Sequence, residues 1–392
     1  MSGQIKNIIF PTVVSVLLLV IVGLVGLLVY RSADSDVIHR ALKNSAKTDQ
    51  QIYEWTMVTA WPKNFPGLGT APENFVKLLD KMSAGRLKVN VFGANQLVPA
   101  LGVFGAVSNG SAQMGHSAAY YWRGKIPAAV FFTSVPFGMT AQELNGWLHY
   151  GGGLELWQEI YAEHNLIPFA AGNTGVQMGG WFNREINSLA DIRGLKMRIP
   201  GIGGDVFSRA GGTAVNIPGG ELYTALQSGV IDATEWVGPY NDLAFGFHQI
   251  AKYYYYPGWQ EPGPTLELIV NKDAYQSLPA DLQAMIEIAA RAVNQDMLDE
   301  YTARSNDALI ELVEKYDVDV RPFPQDVLKS FAEISAQLYD EFSASDPLFN
   351  KVYEHYRQYL LKVRGYHMLS EQAYLEAREQ AMPINEIPAS EH

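Results

Sequence analysis

The chain has 392 residues, 48% of them hydrophobic and 18% charged, which suits one large or two medium globular domains. Formal net charge is −12 and no basic block stands out, so a nucleic-acid partner is disfavoured, because phosphate binding needs a concentrated positive field. Cysteine is absent, which excludes disulfides, thiolate nucleophiles, zinc–thiolate sites and a lipid-modified cysteine anchor.

Residues 8–30, "IIFPTVVSVLLLVIVGLVGLLVY", carry no charge and are flanked by Lys6 and Arg31. The run exceeds the roughly 18 apolar residues that make a spanning helix. It also exceeds the core of a cleaved signal, about 7–15 residues, and "YRSADSD" offers no small-x-small cleavage site. The expectation is a signal anchor, a transmembrane helix over 1–31, with a polar tether over 32–51; cleavage to a soluble form is the alternative. From residue 52 a β-α-β rhythm sets in. "YEWTMVTAW" (53–61) alternates as a strand, "TAPENFVKLLDKMSAG" reads as a helix with a threonine cap and early proline, and "RLKVNVFG" (86–93) is the next strand. Such a rhythm predicts parallel strands with crossover helices. It returns at "LIPFAAGNTG" (166–175), "LKMRIP" and "AVNIP" (214–218), and "ELYTALQSGVIDATEW" reads as a helix ended by Gly229 before a short strand. The tyrosine cluster 253–256 reads as strand and cleft wall. A long helix is predicted over 277–316, opened by a serine cap, and more helix over 325–380 with a break at "ASDPLF".

The reading is therefore α/β with two lobes. One spans 52–168 and 266–300, the other 169–265, and helices over 301–392 pack across both. Ligands in such folds sit at strand ends or between domains. The eight histidines show no metal-ligand spacing. Neither "PGLGTAP" nor "PGIGGDV" completes a phosphate loop, and no G-x-S-x-G elbow is present.

Along 195–199 the alternation sends Leu195, Met197 and Ile199 to one face, and Lys196 and Arg198 to the other. Arg198 is thus either part of a solvated face or a guanidinium at a strand's end, aimed into a cleft to grip a carboxylate. Other polar residues stand in loops or at strand ends. Gln177 lies in "GNTGVQMGGWF", Glu235 and Trp236 precede a Gly-Pro break, Gln260 and Glu261 occupy the loop "YPGWQEPGP", and "HSAAYYWRG" holds Tyr120 and Tyr121. Glu235, Glu261, the Gln177 amide oxygen and a backbone carbonyl would make an all-oxygen cage for a hard cation such as sodium or calcium. Taken singly, each has an ordinary alternative: Glu235 a surface acid, Trp236 core packing, Gln177 a turn residue.

The segment "GGWFNREINSLADIRGLKMRIPGIGGDVFSRAGGTAVNIPGGELYTALQSGVIDATEW" resembles the solute-binding subunits of tripartite ATP-independent periplasmic (TRAP) transporters, and the likeness extends over about residues 50–345. The resemblance implies a two-domain periplasmic binding protein (Venus-flytrap) braced by a long helix, without catalytic residues, working with membrane permease subunits. Arg198 inherits the role of carboxylate clamp. "EW" and "YPGWQE" resemble the branch that binds 2-oxo or 2-hydroxy monocarboxylates with a metal ion, implying substrate contacts from Arg198, Gln177, Tyr120, Glu235 and Trp236. Metal contacts would come from Gln177, Glu235, Trp236 through its carbonyl, and Glu261, with Gln260 or Glu261 as the last ligand. The alternatives to transport are a metal-assisted enzyme acting on an organic acid, disfavoured by the lack of an obvious general base, and a ligand-sensing module. An anchored form would stay tethered to the inner membrane, and the helical tail at 350–380 would either pair with a second copy or pack on its own body.

Overall fold

The computed structural model describes residues 51–383, together with Gly23 and Leu24. Those two and Gln51 apart, the expected anchor and tether lie outside the described residues. No helix among the described residues is long and apolar enough to cross a membrane.

Two sheets organise the chain. The first is built from β1 (Tyr53–Thr59), β2 (Leu87–Phe92), β3 (Met114–Ser117) and β4 (Leu166–Asn173). The second begins with β5 (Gly180–Phe182), β6 (Lys196–Arg198), β7 (Thr213–Val215), β8 (Ala233–Thr234) and β9 (Tyr253–Tyr256). The chain then returns to the first sheet as β10 (Thr265–Asn271) and re-enters the second as β11 (Asp319–Pro322). The orders are β2-β1-β3-β10-β4 and β11-β9-β5-β8-β6-β7. Parallel pairing holds where a helix intervenes, as in β1–β2 with Tyr53 opposite Leu87 and β6–β8 with Arg198 opposite Thr234. The strands that carry the chain between lobes break the expected rule. β10 runs antiparallel to both β3 and β4, and β5 antiparallel to β8 and β9, since these strands arrive from the other lobe instead of from a crossover helix.

The long helix is Ala280–Glu314, 35 residues. Its buried positions Leu282, Ile286, Ala289, Val293, Met297 and Tyr301 recur at helical spacing. They lie along β4 and the helix Thr70–Met82 in the first lobe and the helix Pro239–Phe245 in the second. Two expected caps are corrected. Thr70 is the first helical residue after Gly69, its hydroxyl bonded to the Gly67 carbonyl, and Ser277 ends the preceding short helix, with Pro279 in the cap position. The predicted break falls at Asp346, whose carboxylate accepts the backbone N–H groups of Leu348 (2.8 Å) and Phe349 (3.0 Å) and so starts the next helix. Strand β11 lies between the two segments read as helical, 277–316 and 325–380, and carries no sequence signal because four residues hold little periodicity.

The two C-terminal helices divide their contacts. Gln325–Ser345 packs on the second-lobe helix Gly201–Arg209, where Arg209 meets Glu341 in a forked pair (2.6 and 2.9 Å), while Tyr339 donates to the Pro136 carbonyl of the first lobe (2.8 Å). Pro347–His367 packs on the first lobe, where the Tyr356 hydroxyl accepts from the Met139 N–H (2.6 Å) and Trp147 Nε1 donates to His355 Nδ1 (3.0 Å). Beneath them Phe132 is stacked between Trp147 (5.6 Å between ring centres) and Trp157 (5.0 Å). Phe132 is fully buried, so Phe132→Ala loses its transfer energy, both stacking partners and the packing of the space it leaves. The expected cost is about 3–5 kcal/mol, read as a lowered urea midpoint with an unchanged slope.

Candidate functional site

Three backbone segments run side by side where the strands of the two lobes end. They are 174–179 after β4, 235–238 after β8, and 257–264 between β9 and β10. Hydrogen bonds stitch them: Gln177 N–H to the Glu261 carbonyl (3.1 Å), Gly258 N–H to the Gln177 carbonyl (2.9 Å), and Met178 N–H to the Val237 carbonyl (2.9 Å). A Cβ on Gly258 would lie 2.2 Å from the Gln177 carbonyl oxygen, so only glycine permits this approach. Gln260 Nε2 donates to the Met178 carbonyl (2.9 Å), making Gln260 a prop between the segments.

Arg198 closes β6. The alternation read from the sequence holds for Met197 in the core and Lys196 in solvent, but Arg198 is buried (1% exposed) because the segments that follow the neighbouring strands, bearing Ile217, Glu235 and Trp236, cover it. Its guanidinium is ion-paired with Glu235 Oε1, donates from Nε to the Ile217 carbonyl (3.1 Å) and from Nη2 to the Tyr121 hydroxyl (3.3 Å), and stacks 5.1 Å from the Trp236 ring centre. Burial works against its charge, and the attraction of Glu235 with the neighbouring tyrosines and Glu261 outweighs it, so the group is held charged.

A narrow cavity lies between the lobes, lined among others by Trp61, Tyr120, Tyr121, Gln177, Trp236 and Glu261. Arg198 and Glu235 do not line it; they lie behind its wall, reaching it through Tyr121 and Trp236. The structure thus brings together all of Gln177, Arg198, Glu235, Trp236, Glu261 and Tyr120. It separates Gln260 from Glu261, because only Glu261 faces the cavity. The Tyr253–Tyr256 cluster is a strand as expected but not a cavity wall.

The polar accounting of this site does not balance. Gln177 Oε1, Glu235 Oε2 and Glu261 Oε2 are buried without a hydrogen-bond partner, and so is the Trp236 indole Nε1; Gln260 Oε1, outside the cavity, is likewise unpaired. Unpaired buried carboxylate oxygens are costly. Burial raises the pKa of Glu235 to about 7 against the pull of Arg198. Burial, and then the charge of Glu235, raises Glu261 well above the ordinary carboxylate range. The orphaned oxygens of Gln177 and Glu261 at the cavity, with that of Glu235 behind its wall, are three donors of the type a hard cation takes. Only two of them belong to carboxylates, and among the described residues no group of three His, Cys, Asp or Glu has metal-holding spacing.

Several residues that hold this site carried no sequence signal. Asp242 accepts from Trp181 Nε1 (3.0 Å), the Tyr254 hydroxyl (2.7 Å) and the Val237 N–H (3.3 Å), fixing the loop after Trp236. His116 accepts from Trp61 Nε1 (2.8 Å) on Nδ1 and meets the Ala171 carbonyl through Nε2 (3.0 Å), so its ring is neutral, and burial lowers its pKa to about 4. A lone histidine on a strand gave no hint of orienting a cavity wall. Contacts cross the cleft on both sides: Arg198 to Tyr121, Asn241 Nδ2 to the Pro66 carbonyl (2.9 Å), and Phe65 against Phe245 (4.5 Å between ring centres).

A cleft between two α/β lobes, braced by one long helix and holding polar groups with no partners of their own, defines a binding protein that closes on a small ligand. A family model for bacterial extracellular solute-binding proteins, family 7 (DctP), matches residues 57–346, and the chain belongs to that family, the solute-binding proteins of TRAP transporters. A curated relative from Nostoc sp., named a monocarboxylate 2-oxoacid-binding periplasmic protein, is 44% identical over 320 residues, 82% of this chain and 87% of its own length. The solved structure of a TRAP periplasmic solute-binding protein from Pseudoalteromonas atlantica with bound sodium and pyruvate is 46% identical, covers 83% of this chain and 99% of its own, and superposes with a TM-score of 0.81. A counterpart from Colwellia psychrerythraea with bound calcium and pyruvate is 45% identical over 83% of this chain and all of its own, also with a TM-score of 0.81. Family membership places this protein outside the cytoplasm, as a periplasmic receptor.

The raised carboxyl pKa values have a stability consequence. Glu235 and Glu261 hold protons in the fold that the unfolded chain releases near pH 4.5, so the contribution of both is full below that value; that of Glu235 is lost as pH rises through about 7, and that of Glu261 is likewise lost above the ordinary carboxylate range. In chelator, the thermal midpoint is expected to fall between about pH 5 and pH 8. Glu261→Gln should flatten that slope in part and melt above the wild type at the higher pH; an unchanged slope on circular dichroism would show that Glu261 is not strained.

Proposed function

We propose that this chain captures a small 2-oxo monocarboxylate, of which pyruvate is the simplest, together with a metal cation, and presents it to a TRAP permease. One observation carries the reading: a cavity between the lobes is lined by the residues whose amide and carboxylate oxygens are unpaired, Gln177 and Glu261, with the buried Arg198–Glu235 pair behind its Tyr121 and Trp236 wall. Gln177, Glu235, Glu261 and the Trp236 carbonyl would hold the cation, sodium or calcium, which supplies positive charge that neutralises two carboxylates and receives the ligand's oxygens. Arg198 would clamp the ligand carboxylate with its fork, Gln177 and Tyr120 would hydrogen-bond the 2-oxo side, and the unpaired Trp236 indole N–H is a further donor. The nearby relatives with pyruvate and a metal ion support the same choice.

The protein acts by binding, without turnover. Closure of the lobe spanning 52–168 and 266–300 on that spanning 169–265 would favour the liganded form. The uncharged run 8–30 would tether the receptor to the inner membrane. The exposed Tyr366, Leu369 and Tyr374 at the C-terminal end offer an apolar face for a second copy.

Calorimetry of the purified receptor tests the reading. Pyruvate is expected to bind with calcium or sodium present and to lose most of its affinity in chelator and sodium-free buffer. Glu261→Gln should abolish the cation dependence, and Arg198→Lys should weaken binding by about 1.5–3 kcal/mol through loss of the fork. Pyruvate affinity indifferent to cations would sink the metal-held site, and no binding of any 2-oxo acid would sink the function.

A further inference from the structure

We infer that Arg123, which touches neither the cavity nor its donors, is an interlobe latch that sets how long the receptor holds its ligand. The inference rests on the closing-lobe reading above. Arg123 follows directly on Tyr120, Tyr121 and Trp122, a first-lobe turn that lines the cavity. Its guanidinium reaches into the second lobe: Nη1 donates to the Gly201 carbonyl (2.7 Å), Nη2 pairs with Asp205 (2.6 Å), and the group sits 5.8 Å from the ring centre of Phe342 on the brace helix Gln325–Ser345. Gly201 lies three residues beyond Arg198, so one side chain ties the turn bearing the tyrosines to the segment bearing the arginine.

The base of the latch is fixed. Trp122 Nε1 donates to Glu267 Oε1 on β10, and the Tyr161 hydroxyl donates to the other oxygen of that buried carboxylate (3.0 Å). The receiving end is fixed too, because Asp205 lies on the helix Gly201–Arg209 that the brace helix covers. Each contact of Arg123 in the second lobe requires the lobes to be together. Its interaction energy therefore belongs to the closed form alone and shifts the open–closed balance without contacting ligand. About a third of each partner of the pair is exposed, which leaves it moderate in strength and able to reopen.

Stopped-flow release of pyruvate from Arg123→Gln, Asp205→Asn and the double variant tests the latch. Release should quicken roughly tenfold in each single variant and no further in the double, with the ligand-free melting midpoint unchanged. Because the chain has no cysteine, Tyr150→Cys and Val230→Cys, exposed positions on the two lobes, accept a fluorophore pair that reports closure without any ligand. Arg123→Gln should lower the closed fraction there. Wild-type release rates in Arg123→Gln, or an unchanged closed fraction, would overturn the latch. Failure of the wild type itself to bind pyruvate or any other 2-oxo acid would instead overturn the function, with the fluorescence arm still deciding the latch.

Discussion

The site rests on an imbalance of buried charge. One guanidinium, Arg198, faces two carboxyl groups, Glu235 and Glu261, in a cleft from which water is largely excluded. Arg198 satisfies one oxygen of Glu235 and leaves the second, and Glu261 has an unpaired oxygen of its own. In such surroundings a carboxylate either takes up a proton or waits for a cation. The raised pKa of both groups is the first resolution and a metal ion is the second, and each excludes the other. A cation that neutralises the pair also removes the repulsion an incoming organic anion would meet. One imbalance thus links protonation, cation and ligand.

Holding two reluctant carboxylates in place demands a stiff frame. The backbone bonds among Gln177, Met178, Val237, Gly258 and Glu261 supply it, since none depends on a side chain that could rotate away. Around them, single buried polar residues each fix one wall. Asp242 fixes the loop after Trp236, and His116 fixes Trp61. Glu267, raised by burial to about 7, gathers Trp122 and Tyr161 and so steadies the turn that carries Tyr120 and Tyr121. These groups are satisfied by their neighbours, as buried polar groups ordinarily are, which sets them apart from the unpaired oxygens at the cavity.

The lobes, the long helix and the C-terminal helices that part at Asp346 could be read from periodicity, because each spans enough residues for a pattern to accumulate. Arg198 could be singled out only as one of two readings, since alternation places a residue on a face but cannot say whether that face is later covered. Lys196 and Arg198 share the alternation and have opposite fates. Gln260 and Glu261 are adjacent in one loop, and only the hydrogen bond that turns Gln260 toward Met178 tells them apart. Asp242, His116 and Asn241 were illegible for a stronger reason. Apart from the Val237 N–H that meets Asp242, their partners lie 12 or more residues away, and no local pattern encodes a contact of that kind.

The division of labour between the lobes follows from where the chain crosses. Gln177 and Glu261 stand on the segments that connect the two sheets, yet their backbones are bonded to each other and to Gly258, and the next residues Met178 and Gly179 bond Val237 and Tyr255, so they belong mechanically with Glu235 and Trp236 of the second lobe. Trp61, Tyr120 and Tyr121 come from the first lobe. Parting the lobes therefore removes the aromatic wall and leaves the oxygen donors assembled. A receptor built this way keeps its charged half preorganised in the open form, where water still reaches it. Closure brings the apolar half over the ligand, and with it the low dielectric in which Arg198 and the carboxylates act most strongly.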